Sequence, residues 1–386
     1  MFDALVIGAG PAGSQTANSL SRLGHNVAII DYRLLLGTKL CTGVVGLECV
    51  RRYDVPRHLI FHSVSSATIM PPVSKPVRIQ RDRVQAYVID RTRFIQLVTD
   101  RAQEAGATLL LGRRALNIDV MSDRVVVEAD HNGELERYEA RAIVVATGFN
   151  TKLSRLVGLE PAGTPAYASQ AEVHGVDVDE IRVYAGRHMP AGHFGWVVPT
   201  MKGSALVGTL GRRRSLAALR SMMDGLSDDG AKFDGVKPSR SWGIPLRPAE
   251  RSSNNRVLMV GDAAGQVKPT TGGGIYYSML SGDIAANVLS EALLRDSLSS
   301  SDLGIYDQEW RKLLGRELKL GYLARTIYER LSTRDLEKIL RLASSNGLFE
   351  DAVDFDWHAD LVVRALGYKL LDSVLSPFRT MAARVF

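Results

Sequence analysis

The rhythm of apolar and polar positions changes twice along the chain. Ala4-Leu5-Val6-Ile7 is a continuous apolar run, the pattern of a parallel strand covered on both faces, and Val27-Ala28-Ile29-Ile30 repeats it. Between the two, a glycine-rich turn opens a helix that sets the small residues Ala12 and Ala17 toward a sheet. Phe94, Leu97, Val98 and Ala102 recur at helical spacing within residues 91–106, and Leu109-Leu110-Leu111 is a short strand. Arg124–Asp130 opens a strand pair around the turn His131-Asn132-Gly133, and Arg141–Gly148 is another buried strand ending on a glycine turn.

From about residue 165 to 250 the pattern alternates. Ser169–Val173, Ile181–Tyr184, Trp196–Pro199 and Ala205–Gly208 are separated by Gly and Pro, as in an antiparallel sheet. Val257–Val260 returns to the continuous apolar type, and beyond about residue 300 the chain reads as helices. The pattern predicts an α/β (α+β) fold. A parallel-sheet domain (residues 1–70, 90–165 and 251–300) is interrupted by an antiparallel β domain (residues 71–89 and 166–250). A C-terminal helical region (residues 301–386) follows.

Composition narrows the class. With 386 residues, 45% hydrophobic and 23% charged, the chain has the make-up of a globular enzyme of two or three packed units. No stretch approaches the ~18–20 uncharged apolar residues of a membrane-spanning helix. A strand at residues 2–7 leaves no room for a signal peptide, and two cysteines, Cys41 and Cys49, make no disulfide framework, so a cytoplasmic location is expected. The net charge of +6 is spread among acids without a nucleic-acid recognition module. It suits anionic phosphates, on a cofactor or on a lipid surface. Arg212-Arg213-Arg214, after Gly211, reads as a solvated turn. His58 and His62, four apart as on one helical face, lack an acidic partner, and no metal is expected. Cys49 reads as buried filler at a helix start.

The chemistry begins at Gly8-Ala9-Gly10-Pro11-Ala12-Gly13, which follows a strand and opens a helix. In such a fingerprint the first glycine permits a tight turn, the second lets backbone approach a pyrophosphate, and the third allows close helix–strand contact. The helix start faces the phosphates with the positive end of its dipole. Asp31, 23 residues after Gly8, ends the second strand where a carboxylate bonds ribose hydroxyls. Far downstream, Gly261-Asp262 follows a buried strand, and Pro269-Thr270-Thr271-Gly272-Gly273-Gly274-Ile275 heads another helix. A ribityl chain needs such an acceptor, and a flavin ring gains from helix-start amides, so the cofactor is expected to be FAD rather than NAD. Val144–Gly148 is a strand end beside the adenine half.

These segments together resemble the FAD-binding domain shared by aromatic hydroxylases, flavin halogenases and geranylgeranyl reductases. Three stretches resemble the geranylgeranyl reductases in particular: Lys39-Leu40-Cys41-Thr42-Gly43, Ala191–Pro199 with Phe194 and Trp196, and Val267–Tyr276. The resemblance covers roughly residues 1–330. It departs from the family pattern at Leu40, Thr42, Phe194 and Val198, which bears on the substrate. It implies a Rossmann-type FAD-binding domain of the aromatic-hydroxylase type, with the inserted sheet as substrate domain. By position, Ala12, Asp31, Cys41, Gly43, Arg91, Ala115, Asp262, Gly274 and Ile275 would line the FAD, with Gly8, Gly10, Gly13, Gly148 and Gly273 in its turns. Arg91 would reach the pyrophosphate and Ala115 the adenine edge.

The implied reaction saturates carbon–carbon double bonds of isoprenoid chains. Hydride would come from reduced flavin, and positive charge at the substituted carbon would be steadied by the aromatic faces of Phe194 and Trp196. Cys41 is the third catalytic candidate, in a loop that the family places over the flavin. His193 is a candidate proton source. The substrate is an isoprenoid lipid, a prenyl quinone or a prenyl diphosphate. The reductant is NADPH or an electron-donor protein such as ferredoxin, since no second fingerprint holds a nicotinamide. Residues 361–386 carry a basic amphipathic pattern that would either lie on the cytoplasmic membrane face or wall the substrate tunnel. The rivals are an aromatic monooxygenase or a flavin halogenase on the same fold, and a flavin-binding lipid carrier without catalysis.

Overall fold

The computed structural model describes residues 1–367 except 40, 150, 161, 162, 164, 214, 238 and 346–353. The tail prediction for 368–386 therefore lies outside the described residues.

The continuous apolar runs form the centre of one sheet. Phe2–Ile7 pairs in parallel with Val27–Asp31 on one side and with Glu134–Val145 on the other. Val257–Met259 extends the sheet beyond Glu134–Val145, and Thr108–Leu111 extends it beyond Val27–Asp31. Both faces are covered, as the runs require. Ala4 and Val6 pack into a core shared with the helices Pro11–Arg22 and Ile275–Leu294, while Leu5 and Ile7 meet Ile118, Val125 and Val127. Val125–His131 folds back onto Glu134–Val145 through Asn132 (φ 58°) and Gly133 (φ 89°). Two successive left-handed residues make the turn that matches strand twist.

The alternating segments form a second sheet, in the order Gly235–Val236, Pro165–His174, Ser204–Gly211, Phe194–Pro199, Ile181–Tyr184, Ser66–Met70, Val77–Gln80. Arg240–Pro245 also pairs with Pro165–His174. The pairs are antiparallel except Ile181–Tyr184 with Ser66–Met70, which run parallel. Alternation splits this sheet into two faces. Ala171, Val173, Val197 and Val207 pack under the helix Ser215–Asp228. Ala166, Ala168, Trp196, Val198, Leu210 and Ile244 turn toward Val267, which lies beyond the last strand of the first sheet. A small third sheet joins Val44–Gly46, Ala86–Ile89 and Ile60–Val64.

The helical end is led by Ser300–Tyr328, whose start is closed by a capping box of Ser299 and Asp302. Two readings need correction here, and the one for Cys49 agrees with the structure. His62 lies in the strand Ile60–Val64 and His58 in a short 3-10 turn, so they do not share a helix face. Arg212 is not merely solvated: its guanidinium pairs with Glu329, which also takes Arg325 Nε at 2.6 Å. The partner lies 117 residues ahead, beyond the reach of local pattern. Cys49 is fully buried within the helix Leu47–Arg52, and burial pushes its thiol pKa up.

Candidate active site

The three fingerprint glycines do different work. A side chain at Gly8 (φ 113°) would strike the Ala146 carbonyl, and one at Gly13 would strike the Gly8 carbonyl. A side chain at Gly10 would meet nothing within 4 Å. The first and third glycines let the turn and the strand end Glu134–Val145 close on each other, while the second borders open space. The helix start beside it has no side-chain cap, so its amides face that space. Gly148 (φ 67°) also faces open space, and the nearby Thr147 hydroxyl is buried with no partner among the described residues. Uncapped amides, an unpartnered hydroxyl and bare glycine backbone fit a dinucleotide pyrophosphate.

Asp31 is buried at the end of its strand. It accepts from the Ala9 amide at 2.8 Å and from Arg33 Nε and Nη2 at 2.8 and 2.6 Å. The carboxylate is thus fixed next to the glycine turn. Ala115 sits half-buried opposite Ala129 and packs on the core that holds Leu5 and Ile7. Ala12 packs against Gly261, where a side chain would come within 2.9 Å of its Cβ, so the two glycine-rich segments touch.

Asp262, Gly274 and Lys39 meet on the other side. Asp262 Oδ1 lies 3.1 Å from where a Cβ on Gly274 would sit, and Lys39 Nζ donates to Asp262 Oδ2 at 2.7 Å. Gly274 caps the helix that starts at Ile275, again without a side-chain bond, and Gly273 is half-exposed. Arg91 is buried at the start of Arg91–Glu104, and burial pushes its pKa down. Its Nη1 donates to the Gly37 carbonyl at 3.1 Å and to the Lys39 carbonyl. Arg91 therefore clamps the loop that carries Lys39, Cys41 and Gly43. Gly43 (φ 69°) closes that loop against the Ile89 carbonyl, and Cys41 is half-buried with a free thiol.

Phe194 and Trp196 lie side by side on the apolar face of the second sheet, ring centroids 5.8 Å apart. That face lies over the glycine-rich loop before Ile275: a side chain on Gly272 would reach Ile244 Cδ1 at 2.9 Å and Leu210 Cδ2 at 3.3 Å. Three features of this wall escaped sequence reasoning. Gly208 leaves the gap that the Trp196 indole fills, since any Cβ there would collide with it. Gln170, fully buried, accepts the indole N–H at 3.2 Å, and its own Nε2 has no partner among the described residues. Arg325, buried, sets its guanidinium 5.3 Å from the Phe194 ring centre, with Nη1 unpartnered among the described residues. A buried Gln within an alternating strand was the one signal that could have been noticed. His193 faces the Arg213 carbonyl at 2.7 Å and the Ala191 carbonyl at 3.4 Å, which ties its ring between backbone groups.

Over 362 residues, 88% of this chain and 89% of the relative, the sequence is 32% identical to digeranylgeranylglycerophospholipid reductase 2 of Methanopyrus kandleri. The chain belongs to the geranylgeranyl reductase family. A second reductase of that name, from Methanothermobacter thermautotrophicus, is 30% identical over 88% of this chain and 91% of its own. Residues 3–344 also match the family model described as lycopene cyclase protein. Among solved structures, a geranylgeranyl bacteriochlorophyll reductase-like protein of Thermoplasma acidophilum superposes with a TM-score of 0.86. It is 23% identical, covering 98% of this chain and 99% of its own. A flavin-dependent brominase superposes at 0.72 with 18% identity, covering 99% and 98%. Both likenesses show the fold. Two geranylgeranyl phospholipid reductases are thus 30% identical or more, and the halogenase rival is the more distant match.

Proposed function

We propose that this chain is an FAD-dependent reductase that saturates carbon–carbon double bonds in geranylgeranyl-type isoprenoid chains of lipids. The reading is carried by one juxtaposition: the Phe194–Trp196 pair shares an apolar sheet face with Leu210 and Ile244, the residues that meet the Gly272 loop. The residues around Gly10, Asp31, Asp262 and Gly274 would hold FAD, which when reduced supplies hydride. An isolated alkene has no group to polarise it, so a proton must add to one carbon as hydride reaches the other, and the residues opposite the flavin must tolerate positive charge at the substituted carbon. Arg325 already places a fixed cation on Phe194, whereas the Trp196 indole donates its N–H and keeps an electron-rich ring. Trp196 is therefore the better seat for that charge, with Phe194 as wall and Cys41 bordering the reacting centre.

The relatives named for a geranylgeranyl phospholipid support a lipid substrate, and the lycopene cyclase match also names an isoprenoid. Prenyl quinones and prenyl diphosphates share the same chain chemistry. The electrons come from outside the site, from NADPH or a ferredoxin-type protein. No helix among the described residues is long and apolar enough to cross a membrane.

The test is anaerobic: reduce the FAD-loaded protein with dithionite, add a geranylgeranyl lipid, and follow its mass. Gains in two-hydrogen steps are expected. A product of unchanged mass would mean cyclisation or isomerisation instead, and aerobic halogenation or hydroxylation of an aromatic compound would favour the rivals.

A further inference from the structure

A group of buried titratable side chains lies on the first-sheet side, and Phe355 beside it packs against the cluster that holds Trp196. The group joins the C-terminal segment Asp354–His358 to the cofactor domain. Asp356 is buried, and its Oδ2 accepts the Glu48 amide at 3.0 Å. Glu48 is the second residue of the helix Leu47–Arg52, whose own cap residue, Gly46, has no side chain. A Cβ on Gly46 would collide with the Asp356 carboxylate. Asp356 thus serves as the missing cap from 308 residues away. Glu48 replies by accepting from the Trp357 indole and the Tyr276 hydroxyl, each at 2.9 Å.

The same segment grips the other cofactor loop. Buried Lys268 donates to the Phe355 carbonyl at 2.5 Å and lies over the Phe355 and Tyr277 rings at 4.9 and 5.3 Å. Thr270 bonds His358 at 2.7 Å, and the Tyr277 hydroxyl donates to the Asp356 carbonyl at 3.1 Å. Lys268 and Thr270 flank the start of Pro269–Gly274, while Gly46 ends the strand that follows Cys41–Gly43. One short segment therefore touches both loops that bound the cofactor site. Asp356 Oδ1 has no partner among the described residues, although the carboxylate is buried. Burying a carboxylate with one oxygen unpartnered is costly to the fold alone, which points to a job beyond stability.

We propose that Asp356 and Lys268 are positioning residues, and that through them the Asp354–His358 segment clasps the two cofactor loops and slows FAD release. The proposal rests on the FAD reading above. Helix Leu47–Arg52 loses its cap without Asp356, and the Cys41–Gly46 stretch loses its anchor. Lys268 holds the clasp to the opposite loop. Neither residue touches the reacting atoms.

The experiment uses full-length holoprotein and FAD as the probe. Asp356→Ala should release FAD on the order of tenfold faster, the size of a lost helix cap. Asp356→Asn, which keeps an acceptor for the Glu48 amide, should fall between. Glu180→Gln is the control: Glu180 ties Ser66, Thr68 and Arg78 at the far edge of the second sheet. It should lower stability without changing FAD release. Hydrogen exchange on the unaltered protein gives a second readout. FAD should slow exchange at the Glu48 amide and across residues 354–358, whether or not the variants fold. Wild-type release rates in Asp356→Ala, equal FAD loss in the Glu180→Gln control, or exchange in the segment indifferent to FAD would each overturn the clasp. A wild-type protein that takes up no FAD would overturn the cofactor reading itself, and the clasp with it.

Discussion

The Trp196 indole N–H reaches across Gly208 to donate to Gln170 Oε1 at 3.2 Å. The three residues stand in one transverse row: Trp196 is in register with Gly208, and Gly208 with Gln170. Gln170 sits among Ala166, Ala168, Val198 and Leu210 on an otherwise apolar wall. Since indole is a donor only, Gln170 presents its oxygen to Trp196 and leaves its amide nitrogen unpartnered among the described residues.

That arrangement separates stability from turnover. Gln170→Leu strands the indole N–H but removes an unpartnered amide, so the two costs largely offset, within about 1 kcal/mol. Trp196 loses its orienting bond, and alkene reduction should slow about tenfold, equal to ~1.4 kcal/mol of transition-state stabilisation. Thermal melts and steady-state rates on the same preparations check both. A large melting shift with unchanged rate would place Gln170 in the core and nothing more.

Gly208→Ala should be worse. Its Cβ would overlap the indole itself, and β-sheet backbone has little room to yield. A loss of about 1–3 kcal/mol is expected, with a shifted Trp emission spectrum and slower reduction. FAD affinity should hold, because the gap lies on the sheet and not in the glycine turn.

The fingerprint glycines should divide the same way. Gly10→Val fills open space, so the apoprotein should melt normally and fail to take up FAD. Gly13→Ala drives a methyl into the Gly8 carbonyl, so it should destabilise the apoprotein before any cofactor is added. Asp262→Ala should weaken FAD by about 1.5–3 kcal/mol, the value of a hydrogen bond to a charged group. The Lys39 pair that it also removes is partly exposed and adds little. Fluorescence titration with FAD, beside melts of the apoproteins, measures each.

Lys268 should leave a signature in pH. Burial lowers its pKa to about 8, against the pull of Asp356, Cys49, Asp354 and Glu317. Tyr277 also faces the ammonium, and His358 beside it is held neutral, its pKa pushed down to about 3. Between pH 8 and the ordinary lysine value of 10.5, the unfolded chain keeps a proton that the folded chain has released. Folding therefore gains stability as pH rises through that window, and below pH 8 the buried charge weighs on the fold. Melting curves should show wild type gaining on Lys268→Met from pH 8 to 10. Parallel curves would mean that the ammonium is not under strain.

Much of the candidate cofactor site was legible because its logic is local. Gly8, Gly10 and Gly13 lie within six residues, Asp31 ends a strand whose apolar run announces it, and Gly261-Asp262 follows another such run. Phe194 and Trp196 are two apart on one strand, so alternation alone puts them on one face. What was hidden is set by partners remote in sequence. Asp356 caps a helix at Glu48, Glu329 gathers Arg212 and Arg325, and Lys39 finds Asp262. Charged side chains at such positions look like ordinary surface until the fold brings their partners up. Arg91 shows the intermediate case. Its place at a helix start was readable, but the backbone carbonyls of Gly37 and Lys39 that it clamps were not.

The Glu134–Val145 strand has Phe2–Ile7 on one side and Val257–Met259 on the other. One neighbour is made at the very start of synthesis, and the other only after the whole second sheet has been translated. At ribosomal speed that delay is on the order of ten seconds. Through it the growing chain carries an unpaired strand edge with Ile143 and Val145 in it, a ready template for the wrong partner. The second sheet must therefore fold as its own unit, and soon, or its apolar strands will compete for that edge. Expression should be sensitive to anything that slows translation or folding between residues 146 and 256. Aggregation of nascent chains is the expected fault, even where the finished protein is stable.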